Sequence, residues 1–143
     1  MSQQEIVSRA GAVLPAASFG NFDANMIVRQ GKGSRVWDED GNEYIDYLIG
    51  SGPMILGHCD PEVVEAVQAQ ITQGFTFFAN NLHGIELAEE LCEAVACADQ
   101  VRFVCTGSEA DMYAMRLARA HTGRDKILKF EGGYHGMSAE GQM

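Results

Sequence analysis

The run Thr106-Gly107-Ser108-Glu109-Ala110 has the residue types to hold a phosphate. It follows a short β-rich run, Val101-Arg102-Phe103-Val104-Cys105, and opens a helical pattern. The first N–H groups of a helix have no partner inside it, and the aligned peptide dipoles place partial positive charge on them. Gly107 lets backbone approach an anion closely and Ser108 adds a hydroxyl donor, so a phosphate dianion suits the place. Each charge-assisted hydrogen bond there is worth about 1.5–3 kcal/mol. The same residues also read as a plain N-cap, with Ser108 capping its own helix. The motif is not a P-loop, since no Gly-Lys-Ser/Thr follows, and it is not a GxGxxG fingerprint.

A second run, Glu131-Gly132-Gly133-Tyr134-His135-Gly136, directly follows the strand-like Lys126-Ile127-Leu128-Lys129-Phe130. Loops at the carboxyl ends of strands in α/β sheets line the ligand crevice, which would bring this loop to the same sheet edge as Thr106–Ser108. Tyr134, set among glycines, has a ring able to lie flat on a planar cofactor. His135 offers a hydrogen bond or a proton shuttle. The plainer alternative is a turn whose Tyr134 packs on the core and whose His135 is solvated.

These two runs need a scaffold, and the pattern between them supplies one. Strand-like 101–105, a tight turn, a helix over 109–121 ended by Gly123, and strand-like 126–130 make one βαβ unit, hence a parallel sheet and an α/β fold. Upstream, Asp60-Pro61 starts a helix that Gly74 stops, with Asp60 as N-cap. Ala88, Leu91, Cys92 and Val95 mark the apolar face of a further helix. Ser34–Asp38 and Glu43–Leu48 read as a hairpin joined through Asp40-Gly41. A glycine-rich loop, Gly50-Ser51-Gly52-Pro53, comes after it. Residues 5–14 suit a short helix, and 20–33 read as irregular, with Gly20, Asn21, Asn25, Gly31 and Gly33 as turn formers. One βαβ unit and a hairpin do not complete a doubly wound sheet, so the chain is expected to be a fragment, poorly stable alone.

Composition narrows the partners. The formal charge of −10 with scattered Lys and Arg argues against nucleic acid. No apolar run reaches the roughly 20 residues of a membrane span, and the first residues lack a signal-peptide pattern, so a cytoplasmic protein is expected. Cys59, Cys92, Cys97 and Cys105 show no metal-ligand spacing, and the apolar surroundings of Cys92 and Cys105 suggest buried thiols.

Taken together, Thr106–Ala110, Arg116-Leu117-Ala118-Arg119-Ala120, Thr122–Lys126, Lys129–Gly132 and Tyr134-His135-Gly136 resemble class III pyridoxal-phosphate (PLP)-dependent aminotransferases, chiefly their glutamate-1-semialdehyde aminomutase-like branch. Asp40–Asp46 and Gly52–His58 resemble the same family's N-terminal hairpin and following loop, so the resemblance runs from about Leu14 to Gly136. It implies the N-terminal part of a type I PLP-dependent transferase fold. Residues 1–57 would belong to the small domain and 58–143 would begin a large, mainly parallel-sheet domain, in a homodimer. It implies that Gly107 and Ser108 hold the PLP phosphate, that Tyr134 stacks on the pyridine ring with His135 beside it, and that Ser51 and Gly52 border the substrate mouth. The family's cofactor-bearing lysine and its pyridine-pairing aspartate are expected further along. Lys32, Lys126 and Lys129 are the only lysines here and none matches that position, so this chain alone is expected to be inactive.

The resemblance implies transfer of an amino group between an amino donor and a keto or aldehyde acceptor. The alternative within the family is a glutamate-1-semialdehyde 2,1-aminomutase. Ser51 stands where the aminomutase pattern has tryptophan, and no arginine lies between Pro15 and Met26, where aminomutases carry one for the substrate carboxylate. A non-catalytic truncated module that pairs with a full-length subunit is the alternative of another class.

Overall fold

The computed structural model describes residues 1–20 and 22–142, so Asn21, one of the expected turn formers, and Met143 lie outside the described residues. Two compact units divide the chain, Met1–Phe77 and Phe78–Met143.

In the first unit, α1 (Gln3–Val13) begins with a reciprocal capping box between Ser2 and Glu5, which satisfies two orphan N–H groups at once. Three antiparallel strands follow: β1 (Val28–Lys32), β2 (Arg35–Asp38) and β3 (Glu43–Ile45), in the order β1-β2-β3. The expected hairpin is β2–β3, paired Arg35↔Ile45, Val36↔Tyr44 and Trp37↔Glu43, though its second strand stops at Ile45 rather than Leu48.

β1 corrects the irregular reading of 20–33. Gly31 and Gly33 are not both turn residues: Gly31 pairs with Val36 inside the ladder, and Gly33 (φ +55) makes the tight turn into β2. Gly31 is glycine because His58 packs against it. A Cβ there would lie 2.5 Å from His58 Cγ.

Asp38 is the polar centre of this sheet. Only 1% of its surface is exposed. Its carboxylate accepts from Asn42 N (2.8 Å), Asn42 Nδ2 (2.9 Å) and the Tyr44 hydroxyl (3.0 Å). The Asn42 side chain foremost holds the Asp38 pKa below the ordinary carboxylate value, against the opposing effect of burial. The bond that the Tyr44 hydroxyl donates to Asp38 raises the pKa of Tyr44. α2 (Pro61–Ile71) closes the unit's regular structure, with Asp60 accepting from Glu62 N and Val63 N as its N-cap. It ends before Gly74, which takes φ +110.

The second unit holds α3 (Leu82–Ala94), α4 (Gly107–Thr122) and the short α5 (Ala139–Gln142). The left-handed Gly123 (φ +67) caps α4, its N–H bonding Arg119 O. The expected parallel pair is absent among the described residues: 101–104 and 124–130 lie outside any strand. Their β-rich composition allows extended backbone, but a strand also needs a neighbour to take its N–H and C=O groups. Leu128 and Phe130 are accordingly 92% and 78% exposed. Cys105 is exposed and Cys92 half-buried, because little packs over them. No described helix is long and apolar enough to cross a membrane.

Val36 is the single buried hydrophobic side chain among the described residues. Hydrogen bonds define these units while apolar burial, the dominant folding term, is nearly missing. The isolated 143-residue chain is therefore expected to melt broadly, with little calorimetric enthalpy and strong binding of an apolar dye. A sharp cooperative transition in scanning calorimetry would contradict this.

Candidate functional site

Thr106 takes the N-cap position of α4 that Ser108 was the alternative to fill. Its backbone is extended (φ −144, ψ 157) and its hydroxyl accepts from Glu109 N at 3.1 Å. Glu109 reaches back to Cys105 N at 2.7 Å. The Thr-x-x-Glu spacing of Thr106 and Glu109 is the signal for this arrangement, a near relative of the capping box. The helix therefore starts at Gly107, two residues before the expected start.

This shift frees Ser108. Among the described residues the N–H groups of Gly107 and Ser108 have no acceptor, and a Cβ on Gly107 would meet nothing within 4 Å. Two unpaired donors thus stand at the positive end of a 16-residue helix, with open space beside Gly107. The Arg102 guanidinium over the Tyr113 ring, 4.8 Å from its centroid, ties the preceding segment to the same helix.

The glycine loop returns to this point. Met137 N donates to Ser108 Oγ at 2.9 Å, across 29 residues of sequence. Gly136 (φ +85) makes the approach possible, since a Cβ there would lie 2.8 Å from Ser108 Cα. A hydroxyl has one proton to give and two lone pairs. Accepting from Met137 therefore orients the oxygen and leaves its O–H available to an anion. The structure brings Ser108 beside the loop as a shared sheet edge would have done, although the described residues form no parallel sheet.

Neither plain alternative for that loop holds. Tyr134 is 78% exposed rather than packed on a core. His135 is half-buried, and its Nε2 is shut from solvent with no hydrogen-bond partner among the described residues. A buried polar atom without a partner is costly and points to a ligand or water that satisfies it. Tyr134 and His135 line an open depression of about 770 Å³, together with Lys129, Phe130 and Met137. Lys129 Nζ donates to Gly141 O at 2.9 Å, which fastens α5 under the loop.

Ser51 and Gly52 belong to the first unit and are described within it. They lie in a tight turn where Ile49, Gly50, Ser51 and Gly52 all take positive φ, at +45, +63, +66 and +111. For Ile49 and Ser51 that conformation costs on the order of 1–3 kcal/mol each, and such strain concentrates at functional sites.

The chain matches the family Aminotransferase class-III over residues 18–141. It is 48% identical over 140 residues to a glutamate-1-semialdehyde 2,1-aminomutase of Methanothermobacter thermautotrophicus, covering 95% of this chain and 33% of that protein. It superposes on an omega-transaminase from Sphaerobacter thermophilus with a TM-score of 0.90 at 38% identity, covering 96% of this chain and 32% of that one. A transaminase with PLP bound gives a TM-score of 0.88 at 37% identity, covering 96% of this chain and 34% of the other. The chain spans about a third of the length of these relatives, and its mixed helix-and-sheet path is that of a transaminase.

The seating of the loop on Ser108 is open to test. In the full-length protein, Gly136→Ala is expected to break the Met137 bond and raise amide exchange at Met137 about tenfold or more. Unchanged protection there would show that the loop does not rest on Ser108.

Proposed function

This chain belongs to the class-III aminotransferase family, and from that premise we propose that the complete protein is a PLP-dependent transaminase whose phosphate cradle lies in this chain. The observation that carries the reading is the start of α4, where two unpaired N–H groups and the Ser108 hydroxyl stand beside the Tyr134-His135 loop, with open space at Gly107.

The residues present fit the cofactor. Gly107 N–H, Ser108 N–H and Ser108 O–H would donate to the phosphate, helped by the positive end of α4. The exposed Tyr134 ring would stack on the pyridine face. His135 Nε2 would gain the hydrogen-bond partner that it lacks. When bound, PLP supplies the electron sink for amino-group chemistry, and the protein supplies position and electrostatics. This chain's share is to bind and orient. The lysine that bears the cofactor and the aspartate that pairs with the pyridine nitrogen are proposed to lie outside it, since Lys32, Lys126 and Lys129 match no such position.

The substrates proposed are a small amino donor and a keto or aldehyde acceptor, with Ser51 and Gly52 at the substrate mouth. Residues 1–57 are assigned to a small domain and 58–143 to the beginning of a large one. His58 pairs with Gly33 in an isolated antiparallel bridge, beyond which the chain leaves the three-stranded sheet. A cytoplasmic homodimer completes the proposal.

A glutamate-1-semialdehyde 2,1-aminomutase is the second reading, favoured by the 48% identity to such an enzyme. Ser51 in place of tryptophan, and the lack of arginine between Pro15 and Met26, favour the transaminase.

Two measurements decide these points. In the full-length protein, Ser108→Ala is expected to weaken PLP binding by about 1–3 kcal/mol in a titration while the fold stays intact. Unchanged affinity would remove Ser108 from the cradle. Supplied with glutamate-1-semialdehyde and no second substrate, the enzyme is expected to isomerise it poorly, and efficient isomerisation would select the aminomutase.

A further inference from the structure

The turn carrying Ser51 and Gly52 holds itself together only in part. Ser51 N bonds Leu48 O (2.9 Å), while Gly52 N and Met54 N share Ile49 O (both 3.1 Å). These bonds close the turn on itself without tying it to the sheet. That tie is Asp46, the residue after β3, whose own N–H bonds Ser34 O at 2.9 Å. Its Oδ1 accepts from both Leu48 N and Ile49 N at 2.9 Å, at the entry to the four left-handed residues.

Asp46 is in turn held from behind. His58 Nε2 lies 2.6 Å from Asp46 Oδ2, and both side chains are largely buried, at 23% and 12% exposure. His58 has little freedom to move. Its backbone N–H and C=O both bond Gly33 at 2.8 Å, and its ring packs where a Gly31 Cβ would be. Gly57 (φ +83) permits that approach, since a Cβ there would lie 2.8 Å from Gly33 O. A chain of rigid contacts therefore runs from the β1–β2 turn through His58 and Asp46 into the strained turn. The His58 bond, and next the Ile49 N–H, keep the Asp46 pKa below its usual value, so both turn bonds are made to a charged acceptor.

We infer that Asp46 and His58 are a positioning pair that holds the Ile49–Gly52 turn in its left-handed form and thereby sets affinity for the amino substrate. The inference rests on the proposed place of Ser51 and Gly52 at the substrate mouth. Neither residue touches substrate in this account; both act through the turn.

The test uses the full-length holoenzyme. His58→Leu removes the donor, and KM for the amino donor is expected to rise about tenfold with kcat within about twofold, as for a lost bond to a charged group expressed in binding. Amide exchange at Leu48 and Ile49, whose N–H groups Asp46 holds, should accelerate in the same variant, a readout independent of activity. His58→Gln, whose amide places a donor near the Nε2 position, should restore both values. Asp46→Asn keeps an acceptor for the turn but weakens the His58 bond. It should shift KM and amide exchange in the same direction by about threefold, which decides the matter should His58→Leu not fold. Wild-type KM and amide exchange in both His58→Leu and Asp46→Asn would overturn the pair. Ser51→Trp, which places bulk in the turn, separates the two levels. A raised KM in Ser51→Trp beside an inert pair leaves the turn at the mouth and rejects only the positioning role. An unchanged KM in Ser51→Trp overturns the place of the turn, and the inference with it.

Discussion

An α-helix begins with N–H groups that nothing inside it can satisfy, and the start of α4 meets that demand only in part. Thr106 takes the Glu109 N–H, and the Thr106 carbonyl takes that of Ala110. The donors of Gly107 and Ser108 are left over among the described residues, with open space beside Gly107. The parts of the second unit around α4 can be read from this shortfall. Because Thr106 does the capping, the Ser108 oxygen is free to anchor Met137, and Gly136 is left-handed to let it do so. Unpaired donors, an anchored hydroxyl and an adjacent aromatic loop are the features on which the proposed phosphate cradle rests.

The first unit solves a comparable problem at Asp46. A turn with four successive positive φ values is unfavourable for Ile49 and Ser51, and none of its residues is buried deeply enough for apolar packing to hold it down. Directed hydrogen bonds to a carboxylate do so instead, backed by a histidine pinned to the sheet. Both units thus use polar contacts of defined direction to place the residues that matter, while their apolar surfaces stay open. Phe19, Phe78, Leu128 and Tyr47 are each nearly or fully exposed. That exposure agrees with a chain spanning about a third of its relatives, whose apolar faces would meet partners elsewhere in a complete fold.

Legibility followed the range of the interaction. The helix over 61–71 could be read because Asp60 and Pro61 act within one turn of each other. The end of α4 could be read because Gly123 is the residue that tolerates its left-handed cap. β1 was not legible: its pairing with β2 is non-local, and Gly31 looks like a turn residue until His58 is seen against it. The segments 101–104 and 124–130 erred the other way, since composition favours strands there but the described chain offers them no partner. The Asp46–His58 bond spans 12 residues with no periodicity to announce it.

The sequence by itself determined the local grammar and the kinship: which stretches coil into helices, where they stop, and which family's ordered motifs the chain carries. Caps, periodicity and turn residues act over four or five positions, and a linear reading captures them. Only the tertiary structure decided that Thr106 rather than Ser108 caps α4, that Met137 returns to Ser108, and that His58 stands behind Asp46. Those outcomes depend on which atoms arrive within hydrogen-bonding distance after the chain has turned back on itself. Side chains 12 and 29 residues apart have no local rule that joins them.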